Sequence, residues 1–201
     1  MKRLTPVLSA LSAVALTSAL FFACLDRGDN DAAPPKKRVT QVQQPEDALD
    51  EQLMVTLLEA KNFHHKANVY EMNGELDKAV AEIRKVLTIK FPADAPEAAE
   101  AVLDARARLA KLLMKLDKLD EAEKVVATGI KSAKSESFFL ANLYTVAGQL
   151  HEARANKLKD STTDADRAAF KEHSRKAIEA FDKSIKINEA IQKRLMKGMA
   201  P

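Results

Sequence analysis

Between residues 46 and 197 the apolar positions recur every three or four residues, and no segment alternates with a period of two. That spacing puts one face of a helix into a core and predicts α-helices throughout. Phe63, Ala67 and Tyr70 share one such face; Ile83 and Val86 share the next. Leu109, Ala110 and Leu113 repeat the first pattern, and Ala122 and Val126 the second. Leu143, Val146, Ala147 and Leu150 begin a third round, closed by Ala177 and Phe181. Asn73-Gly74 and Leu116-Asp117 fall between the faces as tight turns. Pro92 and Pro96 separate the first round from the second, and no proline occurs from Glu97 to Ala200. A long last helix is expected from about Asp164 to Lys197, with Phe170, Ile178, Phe181, Ile185 and Ile187 offered to the rest. Asp160 to Asp164 form the exposed loop before it. Thr163 and Asp166 resemble a capping box with Asp standing for Glu.

The turns are alike in more than spacing. Asn73-Gly74-Glu75-Leu76-Asp77-Lys78-Ala79 and Leu116-Asp117-Lys118-Leu119-Asp120-Glu121-Ala122 both place Leu-Asp two residues before a helical Ala. Asp77 and Asp120 are expected to accept orphan amides at the positive end of the helices they open. With Phe63, Ala67 and Tyr70 before the first turn and Ile83, Val86 and Pro92 after it, the segment resembles a tetratricopeptide repeat. The resemblance covers residues 46–197, with repeats at about 60–93, 103–136 and 140–190. Arg106 and Asp117 depart from the pattern in the second copy, and the third is lengthened in both helices. It implies an all-α, right-handed superhelix of about three helical hairpins, the last elongated. Three is about the fewest that stack without outside support.

The same resemblance implies a concave groove lined by the first helix of each hairpin. Its inward positions are Lys61, His64, Asn68, Glu71 and Met72, then Asp104, Ala107, Lys111, Met114 and Lys115, then Ala141, Tyr144, Gly148, His151 and Glu152. Such a groove suits an extended peptide or a helix of a protein partner. Asn68 and Tyr144 are the first two positions to test. The carboxylate grip of some relatives on chaperone tails is not expected, because His64 stands where a lysine is needed and Ala107 and Ala141 replace polar residues.

The chain opens differently. Met1-Lys2-Arg3 is basic, and Leu4 to Phe22 carries no charge, in the order of a secretory signal over residues 1–23. Cys24, the single cysteine, follows directly. Leu20-Phe21-Phe22-Ala23-Cys24 resembles a bacterial lipobox, with Phe21 and Phe22 where that pattern prefers Leu and a small residue. The resemblance implies a thiol acylated with palmitate-like chains. Cleavage nearby without lipidation, or retention of residues 4–23 as a single span, are the alternatives. All three export residues 25–201. Leu25 after the cysteine implies the periplasmic face of an outer membrane. Residues 24–45 read as a tether of polar and proline residues, about 25 Å in root-mean-square span.

Composition narrows the function. The chain has 32 basic and 29 acidic residues, a net +3 that falls to +1 without Lys2 and Arg3, which is not the charge of a nucleic-acid binder. His64, His65, His151 and His173 form no ligand pair four residues apart, and the five glycines make no phosphate loop. No nucleophile elbow is present. Neither catalysis, a metal nor a cofactor is expected. The expected role is a membrane-tethered protein-binding scaffold in cell-envelope assembly: pili, secretion or outer-membrane biogenesis. A small-ligand or lipid carrier, with Phe138, Phe139 and Phe170 around its cavity, is the alternative, as is a non-catalytic regulator of an envelope hydrolase.

Overall fold

A computed structural model describes residues 45–93 and 95–198. Cys24, the signal segment and the tether before Pro45 lie outside the described residues, and Pro45 itself opens α1. The described chain is all-α: α1 (Pro45–Met72), α2 (Leu76–Val86), α3 (Pro96–Lys115), α4 (Leu119–Ser132), α5 (Phe138–Leu158) and α6 (Asp164–Met196). Consecutive helices pair as three antiparallel hairpins stacked side by side. Each second helix also packs on the first helix of the next hairpin, α2 on α3 and α4 on α5. The first helices meet in series, α1 on α3 and α3 on α5. This is a helical-hairpin superhelix.

The first two turns are built identically. Gly74 sits at φ +76° and Asp117 at φ +61°. The residue after each donates its N–H back across the turn, Glu75 to the Tyr70 carbonyl at 2.8 Å and Lys118 to the Leu113 carbonyl at 2.9 Å. These are Schellman closures, which need one left-handed residue past the helix end. Glycine takes that conformation freely, and aspartate is among the few other residues that tolerate it.

The core runs through all three hairpins. Ala67, Ala79, Ala110 and Ala122 are fully buried, so helices approach closely at the small positions, while Ile83, Leu112, Leu113, Leu143 and Leu150 fill the space between. Glu82 on α2 is a charged exception, a carboxylate only 6% exposed. It accepts from Lys85 at 2.8 Å and from Lys66 on α1 at 3.2 Å, and the Lys85 hydrogen bond foremost holds its pKa below the ordinary value.

Asp77 and Asp120 do something other than cap. No side-chain cap closes α2 or α4. Asp77 instead accepts from Lys118 at 3.0 Å and Asp120 from Arg154 at 2.7 Å. Lys157–Asp117 runs the same way, and Arg84–Glu121 joins the first two hairpins with the acid on the later one. The acidic turn residues thus link each hairpin to its successor. Exposed pairs of this kind contribute little singly, about 0–1 kcal/mol each. At the third turn Thr163 Oγ1 accepts from the Asp166 N–H at 3.1 Å, as a cap should. The return half differs: Asp166 Oδ2 accepts from the hydroxyls of Thr163 and Ser161, not from the Thr163 amide.

Candidate partner groove

The inward positions of α1 and α3 converge on one side chain. Arg108, on α3, donates through Nη2 to Asn68 Oδ1 and, at 3.4 Å, to Glu71 Oε2. Its Nη1 lies 3.4 Å from His64 Nδ1. A guanidinium only donates, so Nδ1 accepts and the imidazole proton rests on Nε2, 4.0 Å from Asp104. Lys115 completes the cluster, donating to Glu71 Oε1 at 2.6 Å. That hydrogen bond is the first cause of the lowered Glu71 pKa. His64, Asn68, Glu71, Asp104 and Lys115 therefore share one network across the α1–α3 interface, with Arg108 at its hub. Arg108 is not among the fifteen inward positions given above, although with Asn68 it stands at a place that the carboxylate grip of some relatives uses.

The other residues of these two helices divide. Lys111 is exposed and has no ion-pair partner among the described residues. Met114 is half buried at the edge of the core. Ala107 is buried. Lys61 and Met72 are exposed on the outer flank of α1.

The third hairpin departs from the first two. Tyr144, Gly148 and His151 occupy the places on α5 that His64, Asn68 and Glu71 occupy on α1. On α1 those places meet α3; on α5 they meet α6. Lys183 holds its ammonium 5.4 Å from the centre of the Tyr144 ring. The Phe181 ring lies directly over Gly148, where a Cβ would stand 2.5 Å from it. Thr145 and Ser184 hydroxyls bond at 2.9 Å. The His151 and His173 rings stack at 5.5 Å, with Nδ1 atoms 3.3 Å apart, so one donates and the other accepts. α6 thus fills the place of a further first helix and closes the stack. Ala141 is buried and Glu152 exposed. Tyr144 and His151 line the α5–α6 interface, so the polar network described above is confined to α1 and α3. The available signal was Gly148 itself, a helical glycine at an inward place, which marks a close approach.

Burial foremost holds His64, His151 and His173 below the ordinary imidazole value of 6.5. Arg154 and Lys176 add to this at the His151–His173 pair, while Glu123 opposes them. As pH falls below 6.5 the unfolded imidazoles take protons that the folded ones refuse, so stability declines. The urea midpoint is expected to drop between about pH 7.5 and 5.5, and to drop less in His151→Asn with His173→Asn. Glu71 and Glu82 act lower. Their stabilisation is whole above the ordinary value of 4.5 and is lost as pH falls through their depressed values. A midpoint that does not move between pH 7.5 and 5.5 would contradict the histidine assignment.

Among the described residues no helix is long and apolar enough to cross a membrane. No curated protein and no solved structure matches the chain significantly. Against known families, residues 60–91, from the middle of α1 through α2, match the tetratricopeptide repeat.

Proposed function

We propose that this protein is a non-catalytic scaffold of the cell envelope, anchored through acylated Cys24 to the periplasmic face of an outer membrane. It holds a protein partner along the α1–α3 groove. Tetratricopeptide repeats suggest protein–protein interaction in general. The observation that carries the reading is the polar shelf of His64, Asn68, Glu71 and Arg108, with Lys111 unpaired beside it among the described residues. A prearranged network costs a partner little ordering entropy, and one open cation gives it a first contact. An extended segment with a carboxylate near Lys111 fits this shelf.

The test is photo-crosslinking from Lys111 in native envelopes. One protein should be captured, and Asn68→Ala with Lys111→Glu should reduce its yield by about tenfold. Radiolabelled palmitate should enter the chain and be lost in Cys24→Ser. A mature protein found in the cytoplasm would sink the proposal.

The small-ligand alternative has a single observation in its favour, and it lies elsewhere than expected. Phe138 opens α5 and Phe170 lies near the start of α6, at opposite ends of an antiparallel pair, so they enclose no common cavity. A pocket of about 440 Å³ does open between the α2–α3 and α4–α5 connections, over Phe91, Pro92, Val102 and Leu103. Copurifying lipid without a protein partner would favour that reading.

A further inference from the structure

The antiparallel pair α5–α6 is held unevenly along its length. The buried residues of α6 begin at Ala177 and continue through Ala180, Ser184 and Ile187. Phe181 covers Gly148 in the same stretch. From Asp164 to Lys176, by contrast, the helix has no buried side chain. Segments with few buried apolar contacts are the ones that open without the rest of a fold. The contact of His151 with His173 stands near the boundary between the two stretches.

Ring centres 5.5 Å apart and Nδ1 atoms 3.3 Å apart set the two nitrogens almost in line between the rings. When both rings are neutral, one Nδ1 carries a hydrogen and the other accepts it. A first proton can enter at Nε2 of the donor ring and leave this bond in place. The accepting ring already has its hydrogen on Nε2, so a second proton has only the shared Nδ1 to occupy. Two N–H groups then face each other, and neither has an acceptor.

The surroundings offer the added charge no free counter-ion. α4 presents Asp120 and Glu123, both bonded to Arg154 of α5 at 2.7 Å. Asp117, in the turn before α4, pairs with Lys157 of α5. On α6, Glu172 is bonded by Arg175 and Lys176. Glu152 follows His151 but is exposed and points about 100° away around the helix. Among the described residues, each carboxylate facing the rings is thus matched by a cation, and Arg154 and Lys176 repel an imidazolium. His173 borders an open crevice of about 320 Å³ with Asp120, Arg154 and Lys157, so protons reach it from solvent.

We propose that His151 and His173 form a proton-operated latch: acid releases the stretch of α6 from Asp164 to Lys176 from α5, while the remaining helices stay folded. The burial that holds both imidazoles below 6.5 is lost in the open form, which therefore binds protons more readily as pH falls. The two rings titrate as a pair, and release follows the second proton. Opening uncovers the α5 flank that carries His151, and a return to neutral pH closes it.

Amide exchange of the full chain at pH 7.5 and 5.0, corrected for the intrinsic effect of pH, tests this. Protection from Asp164 to Lys176 should fall about tenfold, the equivalent of one unit of displaced titration, while Ala177 to Met196 and α2 to α4 keep theirs. His151→Asn and His173→Asn should each abolish the acid effect, because asparagine places an acceptor opposite the remaining ring. His65→Asn, at an exposed histidine of α1, should leave it intact. Should the asparagine variants not fold, ring titration by NMR in the wild-type chain decides. A second imidazole proton bound over the same pH interval as the loss of protection upholds the latch. Loss of protection without that proton, an equal loss along all helices, or protection unchanged at pH 5.0 would overturn it. So would an acid effect undiminished in either asparagine variant.

Discussion

Shortening Leu143 to alanine is expected to cost the folded chain about 3 kcal/mol. Leu143 is fully buried where α5 meets α3 and α4, and its Cδ1 lies 2.8 Å from the place a Cβ on Gly129 would occupy. Truncation therefore removes buried apolar surface and leaves a cavity bounded by a helix with no side chain to fill it. For a domain whose whole stability is about 5–15 kcal/mol, the loss is large. Gly129→Ala gives the complement. In the native chain the new methyl must displace the Leu143 methyls and the Arg106 Cδ at 3.2 Å, which opposes the gain of about 1 kcal/mol from replacing a mid-helix glycine. Once Leu143 has been truncated, its methyls no longer obstruct the site, so that gain is recovered. Urea unfolding of the two single variants and the pair should show favourable coupling above about 0.5 kcal/mol. Strictly additive energies would mean that α4 and α5 do not touch at this point.

Gly148→Val should cost nearly as much, about 2–3 kcal/mol, by the opposite mechanism. A Cβ at 148 would lie 2.5–2.7 Å from three atoms of the Phe181 ring. An aromatic ring cannot bend aside as the end of an aliphatic chain can, so α6 must lift from α5. The damage should be local. Amide hydrogen exchange is expected to accelerate along α6, while α2 and α3 keep their protection. Gly148→Ala with Phe181→Leu should recover most of the loss, since a smaller branched side chain leaves room for a methyl. Uniformly accelerated exchange in all helices would refute a closing role for α6 separable from the rest of the stack.

The two variants probe features of different legibility. The hairpins could be read from the chain because their causes are local. Gly74 and Asp117 supply the left-handed residue that the turn needs, Pro96 opens α3, and the recurrence of Ala67 and Ala110 marks where helices come close. The length of α6 was equally legible, since nothing from Asp164 to Met196 interrupts the helical spacing. The groove was legible in part. Its residues were placed by analogy between repeats. On α1 and α3 the structure joins His64, Asn68, Glu71, Asp104 and Lys115 in one network, while Lys61 and Met72 lie outside it and Ala107 is buried. On α5, Tyr144 and His151 meet α6 in place of solvent.

The reason is directional. An apolar stripe records that a helix packs, and its period records the kind of helix, but neither records on which side of its neighbour the helix will lie. Asp77 and Asp120 carry the same ambiguity, since a carboxylate beside a helix start can take either an amide or a distant cation. Lys118 and Arg154 come within reach only once successive hairpins are stacked. Arg108 became a hub in the same way, through contacts with α1 some forty positions earlier in the chain. The sequence by itself determined the helices, their turns and their pairing into hairpins, because those depend on residues a few positions apart. Only the tertiary structure decided which faces remain open, because that depends on groups that meet across long separations and compete there for the same partners.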